Sequence, residues 1–282
     1  MSGEALFSDQ PGHLRELARS ASEEGARLLV AVGGDGTVNE VVNGLGPGRE
    51  TELALIPRGT GGDLARTFGI PAKLDEAVRI ALTGRVRTID LGRASYRSRR
   101  GETESSYFAN VASAGMSGAV AQRTNEAGRA PLGGRAAYLW STLTVFARWR
   151  NADVRVSVDG ESRTGPMFDV IVANCRYLAG GMKIAPEALP DDGLLDVLLI
   201  GDVTKLDLVR TLPKIYRGTH LPHPKAELLR GAAVTVDAGQ PLPVELDGEQ
   251  PGTTPVRFDV VPRGLKLRVP AGEGLRRASP RP

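Results

Sequence analysis

Two stretches rich in glycine and aspartate each follow an apolar run, and their residue types suit phosphate chemistry. The first, Gly33–Asn43, reads GGDGTVNEVVN and comes directly after the apolar run Leu28–Val32. A short β-branched run that ends in two glycines is typical of a buried strand that leads into a loop and a helix. The glycines let backbone N–H groups approach an anion, and the positive end of a helix that starts near Val38 would face the same anion.

Asp35 lies inside this first loop, where its negative charge would repel a bare phosphate. The residue suits the loop if a divalent cation lies between the two groups. A tight strand-to-helix turn that uses Gly and Asp for geometry alone explains the GGDG motif about as well. The first loop therefore leaves both interpretations open.

A second loop of the same kind follows the next strand-like run, where Pro57–Arg66 reads PRGTGGDLAR. Thr60 can donate its hydroxyl to a phosphate oxygen, and Asp63 falls near the first turn of a helix. A third strand-like stretch, Val86–Gly92, brings Asp90 to a position flanked by glycine. Parallel α/β sheets bind ligands at the carboxyl ends of their strands, so we expect these three strand ends to converge on one cleft. Each aspartate alone is also explained as a capping or turn residue.

Taken together, these segments resemble the diacylglycerol kinase catalytic domain family, and within it the soluble bacterial lipid kinases. GGDGT is shared with NAD kinases, so the specific evidence is the GT-x-x-D loop at Gly59–Asp63 and the late Asp-Gly-Glu at Asp247–Glu249. The resemblance follows the family order through nearly the whole chain, at Gly33–Leu45, Leu53–Pro71, Ile89–Gly92, Phe108–Asn110, Pro190–Asp196, Val244–Glu249 and Leu265–Pro270.

The resemblance implies transfer of the γ-phosphate of Mg-ATP to a lipid hydroxyl, with a diacylglycerol-like acceptor favoured. It implies that Glu249 is the catalytic base and that Asp35, Asp63 and Asp90 organise magnesium through water. Magnesium keeps several waters and takes few carboxylates, which agrees with such outer-sphere aspartates. The residues that the resemblance assigns to nucleotide binding are Ser8, Gly33, Gly34, Asp35, Gly36, Thr37, Val38, Asn39 and Thr60.

A structural magnesium is a further implication of the resemblance. Its ligands would be the Leu189 carbonyl, the Asp192 side chain and the Leu194 carbonyl. Carbonyl and carboxylate oxygens with water suit a hard cation. An ordinary Asp-Gly turn explains this loop equally well, and a plain β-turn explains Asp247–Glu249 when the family is left aside.

The sequence departs from the family pattern at two points. Gly62 stands where the family has Asn, and the opening strand with its Asn-Pro-x-Ser-Gly nucleotide loop has no counterpart here. Two alternatives to the lipid kinase therefore stay open. One is an NAD kinase-like enzyme, against which the GT-x-x-D loop and the Asp-Gly-Glu argue. The other is a non-catalytic lipid- or nucleotide-binding relative.

The pattern of elements changes near Leu91, from alternating strands and helices to short strands with turn residues. We expect a Rossmann-like α/β nucleotide domain over residues 1–90, lacking its first strand, and an antiparallel β-sandwich-like domain over 91–270, with a cleft between them. A disordered tail is expected at 271–282. The apolar spacing predicts helices from Leu14 to Gly25, Leu74–Leu82, Gly134–Arg150 and Lys205–Arg217, a hairpin at Asp159-Gly160, and strands at 154–158, 169–174, 194–200, 233–236 and 256–261.

Composition fits a soluble enzyme. The 282 residues carry a net charge of +3 and one cysteine, Cys175, which fits a reducing compartment. No signal core or run of membrane-spanning length is present in the sequence. We expect a cytoplasmic protein, peripheral at the inner membrane face, that binds ATP and a lipid acceptor and no nucleic acid; a homodimer is left open. The aromatic residues Tyr138, Trp140, Phe146 and Trp149 share one helical segment and suit a membrane interface, although core packing explains most of them better.

Overall fold

Helices and strands alternate up to Thr83, after which strands dominate. The computed structural model describes residues 3–126 and 134–272, the side chains of 134–139 excepted. The helices are α1 His13–Glu23, α2 Asp35–Leu45, α3 Asp63–Thr67, α4 Leu74–Thr83, α5 Met116–Glu126, α6 Gly134–Arg148 and α7 Lys205–Arg217. The strands are β1 Leu28–Gly33, β2 Glu52–Pro57, β3 Arg85–Ser98, β4 Thr103–Phe108, β5 Val111–Gly115, β6 Ala152–Val158, β7 Glu161–Met167, β8 Asp169–Ala173, β9 Leu195–Ile200, β10 Ala226–Gly231, β11 Ala233–Ala238, β12 Pro243–Leu246 and β13 Glu249–Val269.

The α/β part of the fold is built on two parallel strands. β1 pairs with β2 in parallel, and β2 pairs in parallel with the end of β13. Within the residues described, β1 pairs only with β2, and its Val30 and Val32 are exposed. This arrangement agrees with the predicted Rossmann-like α/β region.

The rest of the sheet is antiparallel, as predicted, and runs in the order β10-β9-β8-β5-β12-β13-β11-β6-β7. Strands β6 and β7 form the expected hairpin, in which Asp159 and Gly160 have φ angles of 47° and 93°. Positive φ at both turn residues matches the right-handed twist of the flanking strands. The fold class predicted from the sequence is thus confirmed.

The two regions share their longest strands. β3 and β13 pair over most of their length and contribute to two hydrophobic cores. One core, which includes Ala94 and Phe258, lies within the antiparallel sheet, and the other, which includes Ile89 and Leu267, lies under α1 and α2. Strand β3 passes through residue 90 without a break. The domain boundary predicted at this residue stays a prediction.

The predicted helices are present within a few residues of their expected ends. α7 begins with a capping box, in which Thr204 accepts a hydrogen bond from the Asp207 N–H while Asp207 accepts one from the Thr204 N–H. Helix α5 and strands β4, β5 and β10 were not predicted, and β13 is much longer than the expected strand at 256–261. Register shifts between Thr253 and Arg257 and between Val261 and Leu265 interrupt its alternation, which explains the short prediction. The predicted tail at 271–282 lies outside the described residues from 273 onward.

Gly92 ends the motif Ile89–Gly92, and its close surroundings explain why this residue is glycine. It pairs with Phe108 on β4, and a Cβ at position 92 would lie 2.0 Å from the Phe108 ring. That ring is fully buried and makes an edge contact with Phe258. We expect Gly92→Ala to destabilise the fold by about 1–3 kcal/mol because the ring must move in a packed core. Thermal and denaturant unfolding measure the loss.

Gly239→Ala is the matched control, because a Cβ at position 239 meets no atom within 4 Å. Its unfolding midpoint should stay close to that of the wild type. Equal midpoints for both variants would contradict the steric role of Gly92.

Candidate functional site

The two glycine loops contact each other directly through their backbones. The Arg58 N–H donates to the Gly33 carbonyl at 2.8 Å. A Cβ on Gly59 would lie 2.3 Å from the Cα of Gly34, so a side chain at position 59 would push the loops apart. These glycines therefore serve the close approach of the two loops, in addition to any approach to an anion.

Asp35 fixes the second loop in place. It begins α2, and its carboxylate accepts hydrogen bonds from the N–H groups of Gly62, at 2.8 Å, and Asp63, at 3.1 Å. The negative charge that seemed unsuited to the first loop is thus balanced in part by backbone donors. Asp35 thus connects the two loops, and its role toward a cation stays a prediction.

Asp63 continues the same network toward the antiparallel region. Its carboxylate accepts a hydrogen bond from the Gly180 N–H at 2.7 Å. The residue is 4% exposed, and burial raises the pKa of its carboxyl group, with the nearby charge of Asp35 adding to the rise. Its Oδ1 atom has no hydrogen-bond donor among the described residues and lies 3.6 Å from the Arg66 guanidinium.

Asp90 lies elsewhere, and the expectation that three strand ends converge on one cleft is wrong for it. β13 runs parallel to β2 and antiparallel to β3, so β3 runs opposite to β1 and β2. Asp90 therefore lies toward the amino end of β2, whereas the glycine loops follow the carboxyl ends of β1 and β2. Its buried carboxylate accepts from the N–H groups of Gly193, at 2.8 Å, and Arg263, at 2.7 Å.

The Asp-Gly-Glu motif forms the turn of the β12–β13 hairpin. Asp247 and Gly248 have φ angles of 50° and 95°, as expected of such a turn. Desolvation raises the pKa of the Asp247 carboxyl group to about 6, although four hydrogen bonds oppose that rise. The four donors are the N–H groups of Ala109, Asn110 and Val111 and, at 3.5 Å, the side-chain amide of Asn39.

The turn brings Glu249 to the start of α2. A Cβ on Gly36 would lie 3.4 Å from Glu249 Oε1, and Glu249 Oε2 accepts a hydrogen bond from the Asn125 amide at 3.3 Å. Partial desolvation raises the pKa of the Glu249 carboxyl group, and the charge of Glu40 raises it further. The structure therefore brings the predicted base together with the first glycine loop, although they are more than 200 residues apart in sequence.

The other residues predicted to bind a nucleotide have different surroundings. Thr60 is exposed on the second loop, and the Thr37 side chain covers Gly33. Val38 is buried in the core, and its N–H donates to the Gly34 carbonyl. Ser8 precedes α1 and donates to the Gln10 carbonyl, and no contact among the described residues joins it to the glycine loops. The nucleotide roles of all these residues stay predictions.

The predicted metal loop is held by Asp90 and Arg87. The Asp90 N–H donates to the Pro190 carbonyl at 2.6 Å, and Arg87 pairs with Asp191 at 2.6 Å. Asp192 accepts a hydrogen bond from the Leu194 N–H at 3.1 Å. Among the residues that the structure describes, no group of three His, Cys, Asp or Glu side chains is arranged to hold a metal. The ligands predicted at Leu189, Asp192 and Leu194 are two backbone carbonyls and one carboxylate. This set has only one acidic side chain, so the absence of a three-residue group among the described residues does not test it.

The predicted aromatic segment is split between surface and core. Trp140 is 67% exposed, whereas Phe146 and Trp149 pack against a cluster that includes Met116. The side chain of Tyr138 lies outside the described residues. A cavity of about 470 Å³ lies beside this helix, lined by residues that include Arg123, Arg148 and Arg150.

Glu245 is a buried acid that the sequence analysis missed. It is 2% exposed and accepts hydrogen bonds from the Ser113 hydroxyl, at 3.1 Å, and the Gly248 N–H, at 2.5 Å. Burial raises the pKa of its carboxyl group to about 8, and Asp247 adds to the rise. Its place between Val244 and Leu246 reads as an alternating strand with a solvated face, so no sequence signal marked it as buried.

Comparison with known proteins assigns the chain to a class. Residues 3–94 match the diacylglycerol kinase catalytic domain, and residues 110–269 match the YegS C-terminal NAD kinase beta sandwich-like domain. The chain thus belongs to the diacylglycerol kinase family and is a lipid kinase.

Named relatives include YegS-like lipid kinases and diacylglycerol kinases. The chain is 36% identical to a YegS-like lipid kinase of Pseudomonas aeruginosa over 96% of its own length and 86% of that protein. It is 27% identical to a diacylglycerol kinase of Staphylococcus carnosus over 94% of its length and 84% of that protein.

Solved structures support the fold. A crystal structure of a diacylglycerol kinase from Bacillus anthracis superposes with a TM-score of 0.70 at 19% identity, over 94% of this chain and 84% of that one. Yeast NADH kinase in complex with NADH gives 0.52 at 12% identity, over 88% and 63%. At these identities the likeness concerns the fold alone.

The high pKa of Glu245 predicts how stability depends on pH. An acid whose pKa is raised by folding stabilises the folded state below its ordinary pKa, and this contribution is lost as pH rises through about 8. Asp169 and Asp247, with pKa values of about 6, have mostly ionised before that window. Between about pH 7 and 9 the wild type should therefore lose on the order of one to a few kcal/mol of stability.

Glu245→Gln should remove much of that loss, because the amide keeps an oxygen for the Gly248 N–H and cannot ionise. Unfolding midpoints measured across this pH range check the expectation. Glu104→Gln, at an exposed position on β4, is the control and should retain the wild-type pH dependence. A parallel pH dependence for Glu245→Gln and the wild type would contradict an ionising Glu245.

Proposed function

We propose that this lipid kinase transfers the γ-phosphate of Mg-ATP to the hydroxyl of a lipid acceptor, with a diacylglycerol-like acceptor favoured. The observation that carries the proposal is the position of Glu249 beside the first glycine loop, where a Cβ on Gly36 would lie 3.4 Å from Glu249 Oε1. A carboxylate beside a glycine loop at a helix start would bring a proton acceptor next to backbone N–H groups that suit a phosphate. Phosphoryl transfer depends on this kind of positioning and charge balance more than on covalent chemistry.

The start of α2 is suited to the phosphates. The first N–H groups of a helix lack intrahelical partners and carry the positive end of the helix dipole. α2 begins at Asp35, and Gly34 and Gly59 let the two glycine loops approach each other next to this helix start. Asp35, by bonding Gly62 and Asp63, holds the second loop beside the first. Both loops can then contact one phosphate chain, with Thr60 exposed on the second.

Glu249 is suited to the role of base. Its raised pKa brings proton acceptance closer to neutral pH than for an ordinary glutamate. Asn125 orients one carboxylate oxygen, which leaves Oε1 toward Gly36 for the attacking hydroxyl. The four hydrogen bonds of Asp247 fix the turn that carries Glu249, so the base is positioned before a substrate binds.

The acidic residues near the glycine loops fit a divalent cation. Asp35 and Asp63 flank Gly61, since a Cβ there would lie 2.3 Å from one Asp35 oxygen and 3.7 Å from one Asp63 oxygen. The buried Asp63 Oδ1 has no hydrogen-bond donor among the described residues and lies 3.6 Å from the Arg66 guanidinium, so a divalent cation bound here would share this oxygen with Arg66. Magnesium bound here would balance phosphate charge in the transition state.

Asp90 and the Leu189–Leu194 loop would support the proposed site from a position away from the glycine loops. Asp90 holds the loop through Gly193, and the Leu189 carbonyl, the Asp192 side chain and the Leu194 carbonyl would supply oxygen ligands to a structural magnesium. The segment from Asn174 to Gly180 contacts both Asp90 and Asp63. The Asn174 side-chain amide donates to the Asp90 carbonyl, and the Gly180 N–H donates to the Asp63 carboxylate.

The proposed lipid acceptor determines the expected location of the protein in the cell. A long-chain lipid hydroxyl is reached at a membrane surface, so we propose peripheral contact with the inner face of the cytoplasmic membrane. No helix among the described residues is long and apolar enough to cross a bilayer. A homodimer stays a proposal as well.

A lipid panel tests the reaction itself. With γ-labelled ATP and magnesium, we expect label in lipids that carry a free hydroxyl, presented in detergent micelles, and none without the divalent cation. Diacylglycerol should be the best acceptor of the panel. Transfer of label to NAD and to no lipid would overturn the proposal.

Glu249→Gln tests the base. The amide keeps the size of the side chain and the hydrogen bond with Asn125 but cannot accept a proton. We expect the maximal rate to fall about a hundredfold or more, with nucleotide affinity near that of the wild type because the glycine loops are unchanged. The wild-type rate should also rise with pH through a pKa above that of an ordinary glutamate.

Glu126→Gln is the control for this variant, since Glu126 is exposed on α5 one residue after Asn125. It should retain the wild-type rate. Steady-state turnover and equilibrium nucleotide binding, measured for both variants, separate the two effects. Normal turnover in Glu249→Gln, or a defect confined to nucleotide binding, would remove Glu249 from this role.

A further inference from the structure

Helix α7 has an apolar face on each side. Its inner face packs Leu208 and Ile215 against the sheet and neighbouring helices. Its outer face carries four large apolar side chains, spaced three, three and four residues apart, which places them on one side of a helix. They are 45% to 59% exposed: Leu206 55%, Val209 59%, Leu212 45% and Tyr216 51%.

Helix α6, which contacts the start of α7, also exposes large apolar side chains. Its Trp140 and Leu143 are 67% and 54% exposed. The two helices meet where α7 begins, because the Lys205 ammonium donates to the Ala147 carbonyl and Leu208 joins the cluster that contains Phe146. We name the six exposed side chains the apolar ridge: Trp140, Leu143, Leu206, Val209, Leu212 and Tyr216. Monomeric proteins seldom expose so many large apolar side chains on adjoining helices without a partner.

The charges along α7 favour one kind of partner. Arg210, Lys214 and Arg217 lie beside the apolar stripe when the helix is projected at 100° per residue, and Lys205 begins it. The single acid of the helix, Asp207, is engaged by its own cap, where it accepts from the Thr204 N–H at 3.0 Å. The outer face of α7 is therefore apolar and basic.

We propose that the apolar ridge inserts into the interface of a bilayer that contains anionic lipids. Aromatic and aliphatic side chains beside Lys and Arg are the combination that binds such an interface. A second copy of the chain fits less well, because a symmetric contact through this face would place Arg210, Lys214 and Arg217 of both copies together. The membrane accepts both the apolar side chains and the positive charge.

The inference rests on the proposed lipid acceptor, and it names the surface that brings the kinase to it. The ridge is connected to the site through α5, which packs on α6 and whose Asn125 bonds Glu249. Binding to vesicles is measured without nucleotide or acceptor. Its failure can therefore be distinguished from a failure of phosphate transfer in micelles.

The experiment compares two matched double variants of the full chain. Val209→Glu with Leu212→Glu places two acids on the ridge, whereas Leu74→Glu with Leu82→Glu changes two side chains of α4 with similar exposure, 46% and 47%. Co-sedimentation uses phosphatidylcholine vesicles with and without phosphatidylglycerol. We expect the wild type and the α4 variant to bind the anionic vesicles, and the ridge variant to bind about tenfold or more weakly.

Two further measurements complete the test. Arg210→Gln with Lys214→Gln should weaken binding to anionic vesicles by about tenfold or more, since each basic residue near such a surface contributes. Thermal midpoints of all variants should stay near the wild type, which shows that they fold. Wild-type vesicle binding by the ridge variant, or equal losses in the α4 variant, would overturn the proposal. So would a dimer that the ridge variant dissociates while its vesicle binding is unchanged.

Discussion

The site depends on one repeated interaction, in which buried or half-buried carboxylates accept hydrogen bonds from the backbone N–H groups of loops. Asp35 holds the second glycine loop, Asp63 holds Gly180, Asp90 holds Gly193 and Arg263, and Asp247 holds the three N–H groups that begin at Ala109. Each of these loops has a backbone that would otherwise leave donors unpaired away from water. Charge-assisted hydrogen bonds are stronger than neutral ones, so few residues fix several loops at once.

This interaction also explains why burial does not neutralise every acid to the same extent. Desolvation raises the pKa of Asp247, yet its three backbone donors and Asn39 limit the rise to about 6. Glu245 has only Gly248 and Ser113 to oppose the same cost, and its pKa rises to about 8. Hydrogen-bond donors thus oppose the desolvation of both acids, while the charges of Asp247 and Asp169 add to the rise in the pKa of Glu245. Loops fixed by charged acids are organised before a substrate binds, which is what electrostatic catalysis requires.

Local sequence patterns predicted much of the fold, and the wrong or missing predictions share one cause. Helical spacing predicted α7 over its observed range, and Asp159-Gly160 predicted the β6–β7 hairpin, because both signals are local. The direction of β3 could not be predicted, since it is set by pairing with β13, far along the chain, and this moved Asp90 away from the other aspartates. Glu245 was missed for the same reason: both faces of its strand are covered by elements distant in sequence. The two glycine loops were recognised, but their mutual contact was not, because it depends on how β1 and β2 pair.

The contacts of the acids separate those that build the site from those that can act in it. Asp35, Asp90 and Asp247 each accept two or more backbone hydrogen bonds within the described structure, so their oxygens already serve the loops. Two oxygens differ. Glu249 Oε1 faces Gly36 while its partner oxygen accepts one long hydrogen bond, and Asp63 Oδ1 has no donor within hydrogen-bond reach in the residues described. The proposed reaction must accommodate a proton from a hydroxyl and a divalent cation. We propose that Glu249 Oε1 accepts the proton and that Asp63 Oδ1, together with Asp35 across Gly61, faces the cation.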